Sequence, residues 1–183
     1  IGIEEATDQD IPLYEGKSIN QFVIKPEEVK YAISKDAVKQ RINDDVNSYR
    51  IALRAIASST NKRSLIVTLL PPQTSSVHSL FSEKYADEVP LKNKIFMVGI
   101  LNSYVIDFLL RQLISINVSL IFVQQMPIPK MDEVKDASQI VQISKALLQE
   151  NKGYYEDLNH LVEGDAYQEY SHDELIAELN ARV

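Results

Sequence analysis

The chain has 183 residues, 45% of them apolar, which suits one domain or one domain with an appendage. It has no cysteine, which excludes disulfides, thiolate metal sites and cysteine nucleophiles and fits a reducing compartment such as the cytoplasm. The net charge of −7 argues against nucleic acid at first sight, yet residues 131–183 carry 12 acids against 4 bases while residues 11–63 carry 10 bases against 6 acids. Local clusters, not the total, decide whether phosphates are attracted. No apolar run approaches the roughly 18 residues of a membrane span, and the first ten residues lack the basic and apolar regions of a signal peptide.

In chain order, residues 11–14 and 19–24 are expected to pair as two short strands around Glu15-Gly16-Lys17, ended by Lys25-Pro26. Residues 26–46 are polar with scattered apolar positions, which fits a helix or an inserted loop. Tyr49, Ile51 and Leu53 alternate with Arg50, Ala52 and Arg54, which predicts a half-buried strand with both arginines on its outward face. A turn at 58–63 leads to an apolar strand over 64–70, stopped by Pro71-Pro72. Residues 73–79 read as a polar loop. Residues 94–113 give the strongest helical signal, with Phe96, Ile100, Tyr104 and Phe108 four residues apart, although Asn102-Ser103 interrupts it. A further strand is expected over 119–129, then an amphipathic helix over 139–151 ending near Gly153, then an acidic helical remainder. These elements predict an α+β fold: a small mixed sheet with a long amphipathic helix over 1–130, followed by a helical acidic appendage over 131–183. The start at Ile1, and a helical face of Leu175, Ile176, Leu179 and Val183 with no stop signal behind it, are expected to be boundaries within a longer protein.

Signatures of chemistry are sparse. The five glycines form no phosphate-cradling loop, and His78, His160 and His172 match no metal-ligand spacing, so no metal is expected. Leu70-Pro71-Pro72-Gln73 resembles the Asn/Asp-Pro-Pro-aromatic loop of amine methyltransferases in its prolines alone. Leucine accepts no hydrogen bond from an amine and glutamine does not stack on a base, so the segment reads as a strand terminator. Glu15-Gly16-Lys17, with Asp8 or Asp10 upstream, is the pattern on which a metal-dependent nuclease would be built, but Gly16 makes it look like a turn. The bases are more coherent. Lys17, Arg50, Arg54, Lys62 and Arg63 are candidate contacts to phosphate or base edges, against the alternative of a solvated face paired with Asp44, Asp45 or Glu15. Ser75, Ser76 and His78, beside Gln73 and Thr74, are groove-reading residue types on a loop. Asp107 and Arg111 have the i,i+4 spacing of a helix-surface ion pair.

Three segments, in order, resemble the C-terminal specificity region of adenine-specific DNA methyltransferases, a group that includes the fused type IIG restriction–modification enzymes with TaqI-like recognition domains. They are IPLYEGKSINQF (11–22), YRIALRAIASSTNKRSLIVTLLPP (49–72) and LNSYVIDFLLRQLISINVSLIFVQQMPIP (101–129), and the tail DELIAELNARV resembles the helix that follows. Segment 27–48 is longer and more polar than that group's link, and 113–119 lacks its glycines. The resemblance implies a non-catalytic domain that recognises a DNA target, here double-stranded DNA bound as one half of a clamp. The other half would be an N-terminal methyltransferase domain of the same chain, which would hold S-adenosylmethionine. Tyr14, Glu15 and Gly16 would shape the first turn or touch that domain. Two alternatives stand: a protein-interaction module of a larger enzyme, and a nuclease using Glu15 and Lys17.

Overall fold

Short strands come first and helices second in the computed structural model, which describes residues 1–41, 46–56, 61–114, 118–164 and 166–183. The strands are β1 (Asp10–Tyr14), β2 (Ile19–Asn20), β3 (Val23–Ile24), β4 (Tyr31–Ser34), β5 (Arg50–Arg54), β6 (Val67–Leu70), β7 (Ser75–Ser76) and β8 (Leu80–Ser82). Helix α1 (Lys35–Arg41) follows β4; α2 (Leu91–Leu101), α3 (Tyr104–Arg111), α4 (Leu120–Gln124), α5 (Ala137–Gln149), α6 (Leu158–Leu161) and α7 (His172–Arg182) complete an α+β fold. Residues 58–60 of the expected 58–63 turn lie outside the described residues, as do Asp44 and Asp45.

The first expected hairpin does not form. Residues Gly16–Ser18 make a tight helical turn, closed by the Glu15 amide donating to Ser18 Oγ at 3.2 Å and the Ser18 amide donating to the Glu15 carbonyl at 2.9 Å, and this turn redirects the chain. Strand β1 instead lies between β4, antiparallel with Ile11 opposite Ile33, and β7, parallel with Leu13 opposite Ser75. Strands β2 and β3 pair with each other around Gln21-Phe22. Phe22 adopts φ 60°, a conformation costing about 1–3 kcal/mol for a bulky residue. Full burial of its ring and a 3.0 Å bond from its amide to the Val67 carbonyl offset that cost. The strand read at 49–54 and the proline stop at 71–72 hold, but the half-buried alternation does not, since Arg50 and Ala52 are fully buried and Ile51 only partly: β5 is flanked antiparallel by β6 and β8, with Ala52 opposite Thr68 and Ser82.

The long helix expected over 94–113 is two helices bent by 60° at Asn102-Ser103. Ser103 is an N-cap, its hydroxyl accepting from the Ile106 amide at 3.3 Å, and it opens α3 in a new direction. Phe96 and Ile100 therefore face the core, while Tyr104 and Phe108, on the same four-residue period, are exposed. No single helix among the described residues is long and apolar enough to cross a membrane; α2 and α3 reach that length only together, across the bend. The strand expected over 119–129 is instead helix α4. Ser119 caps it, accepting from the Ile121 amide, and its carbonyl takes the Phe122 and Val123 amides, so local capping outweighs the β-favouring Leu-Ile-Phe-Val composition.

One apolar cluster runs from Tyr14 to Leu179 and joins β5 and β6 to α2, α5 and α7. Ile140, Ile143, Leu147 and Leu148 of α5 are fully buried in it, so residues 131–183, expected as an appendage, share the main core. Gly99 lets α5 approach α2. A Cβ at Gly99 would stand 2.2 Å from Ser144 Oγ and 3.1 Å from Ile140 Cγ2, so any larger residue pushes the helices apart.

Candidate nucleic-acid interface

A buried aspartate organises a large cleft. Asp107, 4% exposed on α3, accepts from the Ser64 and Leu65 amides at 2.8 and 2.7 Å and from Arg111 Nε at 3.0 Å; Arg63 Nη1 lies 3.7 Å away. Arg111 continues to the Asn61 and Lys62 carbonyls at 2.6 and 2.5 Å. Arg63 donates from Nε to Gln21 Oε1 at 3.1 Å and from Nη2 to the Asn102 carbonyl, and its guanidinium lies 4.5 Å over the Tyr104 ring. Burial pulls the Arg63 guanidinium below its ordinary value, and Asp107 counters that pull.

Asn102 joins the helix break to the sheet. Its side-chain amide pairs with both backbone groups of Val67, accepting from N at 3.1 Å and donating to O at 2.8 Å, as a neighbouring strand would. Gln21 Nε2 donates to the Leu65 carbonyl at 3.1 Å and the Asn102 carbonyl at 3.3 Å. Gln21 from the first resembling segment, Arg63 and Ser64 from the second, and Asn102, Asp107 and Arg111 from the third thus form one hydrogen-bonded clasp.

Above the clasp opens a cleft of about 780 Å³. Strands β2 and β3 contribute Asn20 and Val23, β5 contributes Arg54, and the segment before β6 contributes Asn61 and Lys62. Helix α3 contributes Tyr104, Phe108 and Arg111, and the start of α7 contributes His172 and Asp173. Four cationic side chains, Arg54, Lys62, Arg63 and Arg111, face two carboxylates, Asp107 and Asp173, in a protein of net charge −7. The acidic C-terminal region therefore reaches the cleft. His172 Nδ1 is turned to Glu150 at 2.7 Å.

The structure separates the predicted site residues. Arg54, Lys62 and Arg63 meet at the cleft, but of the three only Lys62 is exposed. Arg54 is half-buried, its Nη2 on the Ile19 carbonyl, and burial lowers its pKa from the ordinary value. Arg50 is not on an outward face: it is 0% exposed and donates to the carbonyl and hydroxyl of Thr74, the latter at 3.1 Å, bracing the turn after Pro71-Pro72. Arg50 and Arg54, four residues apart on β5, are held by different partners, the turn at Thr74 and the Ile19 carbonyl. Lys17 pairs with Glu15 at 3.0 Å outside this cleft. Gly16 serves close approach, since a Cβ there would stand 2.9 Å from the Ser79 carbonyl and 3.2 Å from Arg54 Cγ.

Tyr14 is buried in the core, which leaves its side chain no surface to offer another domain. Ser75 is fully buried within β7, so its hydroxyl does not face a groove as expected; Ser76 is half-buried with its Oγ 2.9 Å from Ser82 Oγ, and parallel pairing with β1 draws this stretch into the fold. His78 is exposed but does not line the cleft. Asp10 is occupied in capping Thr7, at 2.9 Å from the amide and 2.8 Å from the hydroxyl. Sequence reasoning passed over Gln21, Asn102, Tyr104 and Phe108 as site residues. Asn102, a polar residue on the apolar face of the strongest helix, was the signal for the clasp.

Neither a protein-family model nor a curated protein matches this chain.

Proposed function

We propose that this chain is a DNA target-recognition module of an adenine-specific DNA methyltransferase or a fused restriction–modification enzyme, itself non-catalytic. One observation carries this: three segments chosen for their resemblance to that group, distant in sequence, supply one clasp and one locally cationic cleft. Lys62 contacts phosphate, with the charge of Arg54 behind it, and the exposed amides of Asn20 and Asn61 offer donor and acceptor pairs to base edges. Arg63 and Arg111 hold the 61–65 segment in place. Methyl transfer, and S-adenosylmethionine with it, belongs to a separate domain of the parent enzyme.

Fluorescence anisotropy of labelled duplex DNA against this chain, between about 50 and 200 mM salt, tests the proposal. Binding should weaken steeply with salt, and Lys62→Ala should weaken it uniformly across sequences and reduce the log–log slope by about one. Affinity that ignores both salt and Lys62 refutes it. A second reading, docking on another protein domain, is favoured by the exposure of Val105, Phe108, Leu113, Leu120 and Ile121 on and around α3 and α4.

A further inference from the structure

The cleft has a chemical character that phosphate contacts alone do not use. Tyr104 and Phe108 stand one helical turn apart on α3, with Arg111 at the next position of the same stripe, and all three line the cleft. Tyr104 is 55% and Phe108 63% exposed. Neither ring stacks on another aromatic among the described residues; the Arg63 guanidinium covers one face of Tyr104 and leaves the rest open. Lys62 and the amides of Asn20 and Asn61 line the same cleft. Aromatic faces beside a cation and short amides are the chemistry that holds an unstacked base: the ring gives a sequence-tolerant platform and the cation takes the phosphate. A paired duplex presents no free base face to such a platform. The bend at Asn102-Ser103 creates this arrangement, because a straight helix would have carried Tyr104 and Phe108 along the buried stripe of Phe96 and Ile100.

We infer that the cleft takes an unpaired nucleotide, its base against Phe108 and the open part of Tyr104 and its phosphate at Lys62, an inference that rests on the nucleic-acid reading above. Within a target-recognition module such a pocket would hold a base left unpaired when the duplex is opened. Exclusion of the base from water against Phe108 stabilises the opened state, and no bond is made or broken by this chain.

Three labelled DNA probes of one sequence test this by anisotropy: a perfect duplex, the same duplex with one unpaired nucleotide, and the single strand. The unpaired-nucleotide duplex should bind about tenfold or more tighter than the perfect duplex. Phe108→Ala should remove that preference, and Phe108→Trp should retain it. Because Phe108 is exposed, both variants keep the fold, and circular dichroism confirms it. Equal binding of the two duplexes, with Phe108→Ala inert and Lys62→Ala weakening both, overturns the unpaired-base pocket but leaves DNA recognition standing. No binding to any probe overturns both. Self-association of the chain that Phe108→Ala abolishes, without DNA binding, assigns α3 to protein docking and overturns both as well.

Discussion

Removing the Asp107 carboxylate should unlock the clasp. In Asp107→Ala, the Ser64 and Leu65 amides and the Nε of Arg111 lose an acceptor at 2.7–3.0 Å in a site 4% exposed, and two guanidiniums lose their counter-charge. Breaking a buried pair by deleting one partner costs about 3–5 kcal/mol, chiefly because the remaining groups stay desolvated and unpaired. With a urea m-value of about 2 kcal/mol per molar, the unfolding midpoint should fall by about 1.5–2.5 M. Asp107→Asn keeps one acceptor oxygen, so its loss should be about half as large. Equilibrium urea denaturation followed by circular dichroism measures both. A midpoint shift for Asp107→Ala below about 0.5 M refutes the assignment of Asp107 as the organiser of the clasp.

Asn102→Ala should cost about 2–3 kcal/mol through the two bonds to Val67, and hydrogen exchange should show the Val67 amide losing protection. Arg50→Ala should destabilise by about 3 kcal/mol or more while leaving DNA affinity unchanged at temperatures where the variant is folded, whereas Lys62→Ala should do the reverse. Burial raises the phenols of Tyr14, Tyr49 and Tyr155 above the ordinary value of 10.0. Raised folded values mean that their contribution to stability is complete below pH 10 and is lost progressively as pH climbs past it. An ultraviolet phenolate titration should show these three ionising only with unfolding, and reversible ionisation of all nine tyrosines in the folded protein would contradict it.

Patterns that depend on one element alone were readable in the sequence. Alternation at Tyr49–Arg54 marks β5, the prolines at 71–72 end β6, and the period over 139–151 marks α5. Pairing partners were not readable, because β1 joins β4 and β7 across insertions that carry no local sign of it. Apolar period alone read α2 and α3 as one helix, since Phe96, Ile100, Tyr104 and Phe108 keep the same spacing through the bend. At the break, Asn102 bonds to a strand 35 residues away in sequence and Ser103 caps the new helix. Burial misled in the same way for the arginines. Arg50 looks like a surface cation by alternation, yet the turn at Thr74 supplies acceptors that take it inside, while Arg54 reaches the Ile19 carbonyl. Segments 11–22, 49–72 and 101–129 meet in a clasp whose cations are largely spent on structure, leaving Lys62 as the exposed cation of the cleft among the described residues.

Two-dimensional amide NMR of this chain titrated with duplex DNA tests the cleft most directly. Shifts should concentrate at Asn20–Val23, Asn61–Ile66, Tyr104–Arg111 and the first turn of α7, with little change on α5 and α6. Shifts confined to other surfaces, or none at saturating DNA, contradict a nucleic-acid site there.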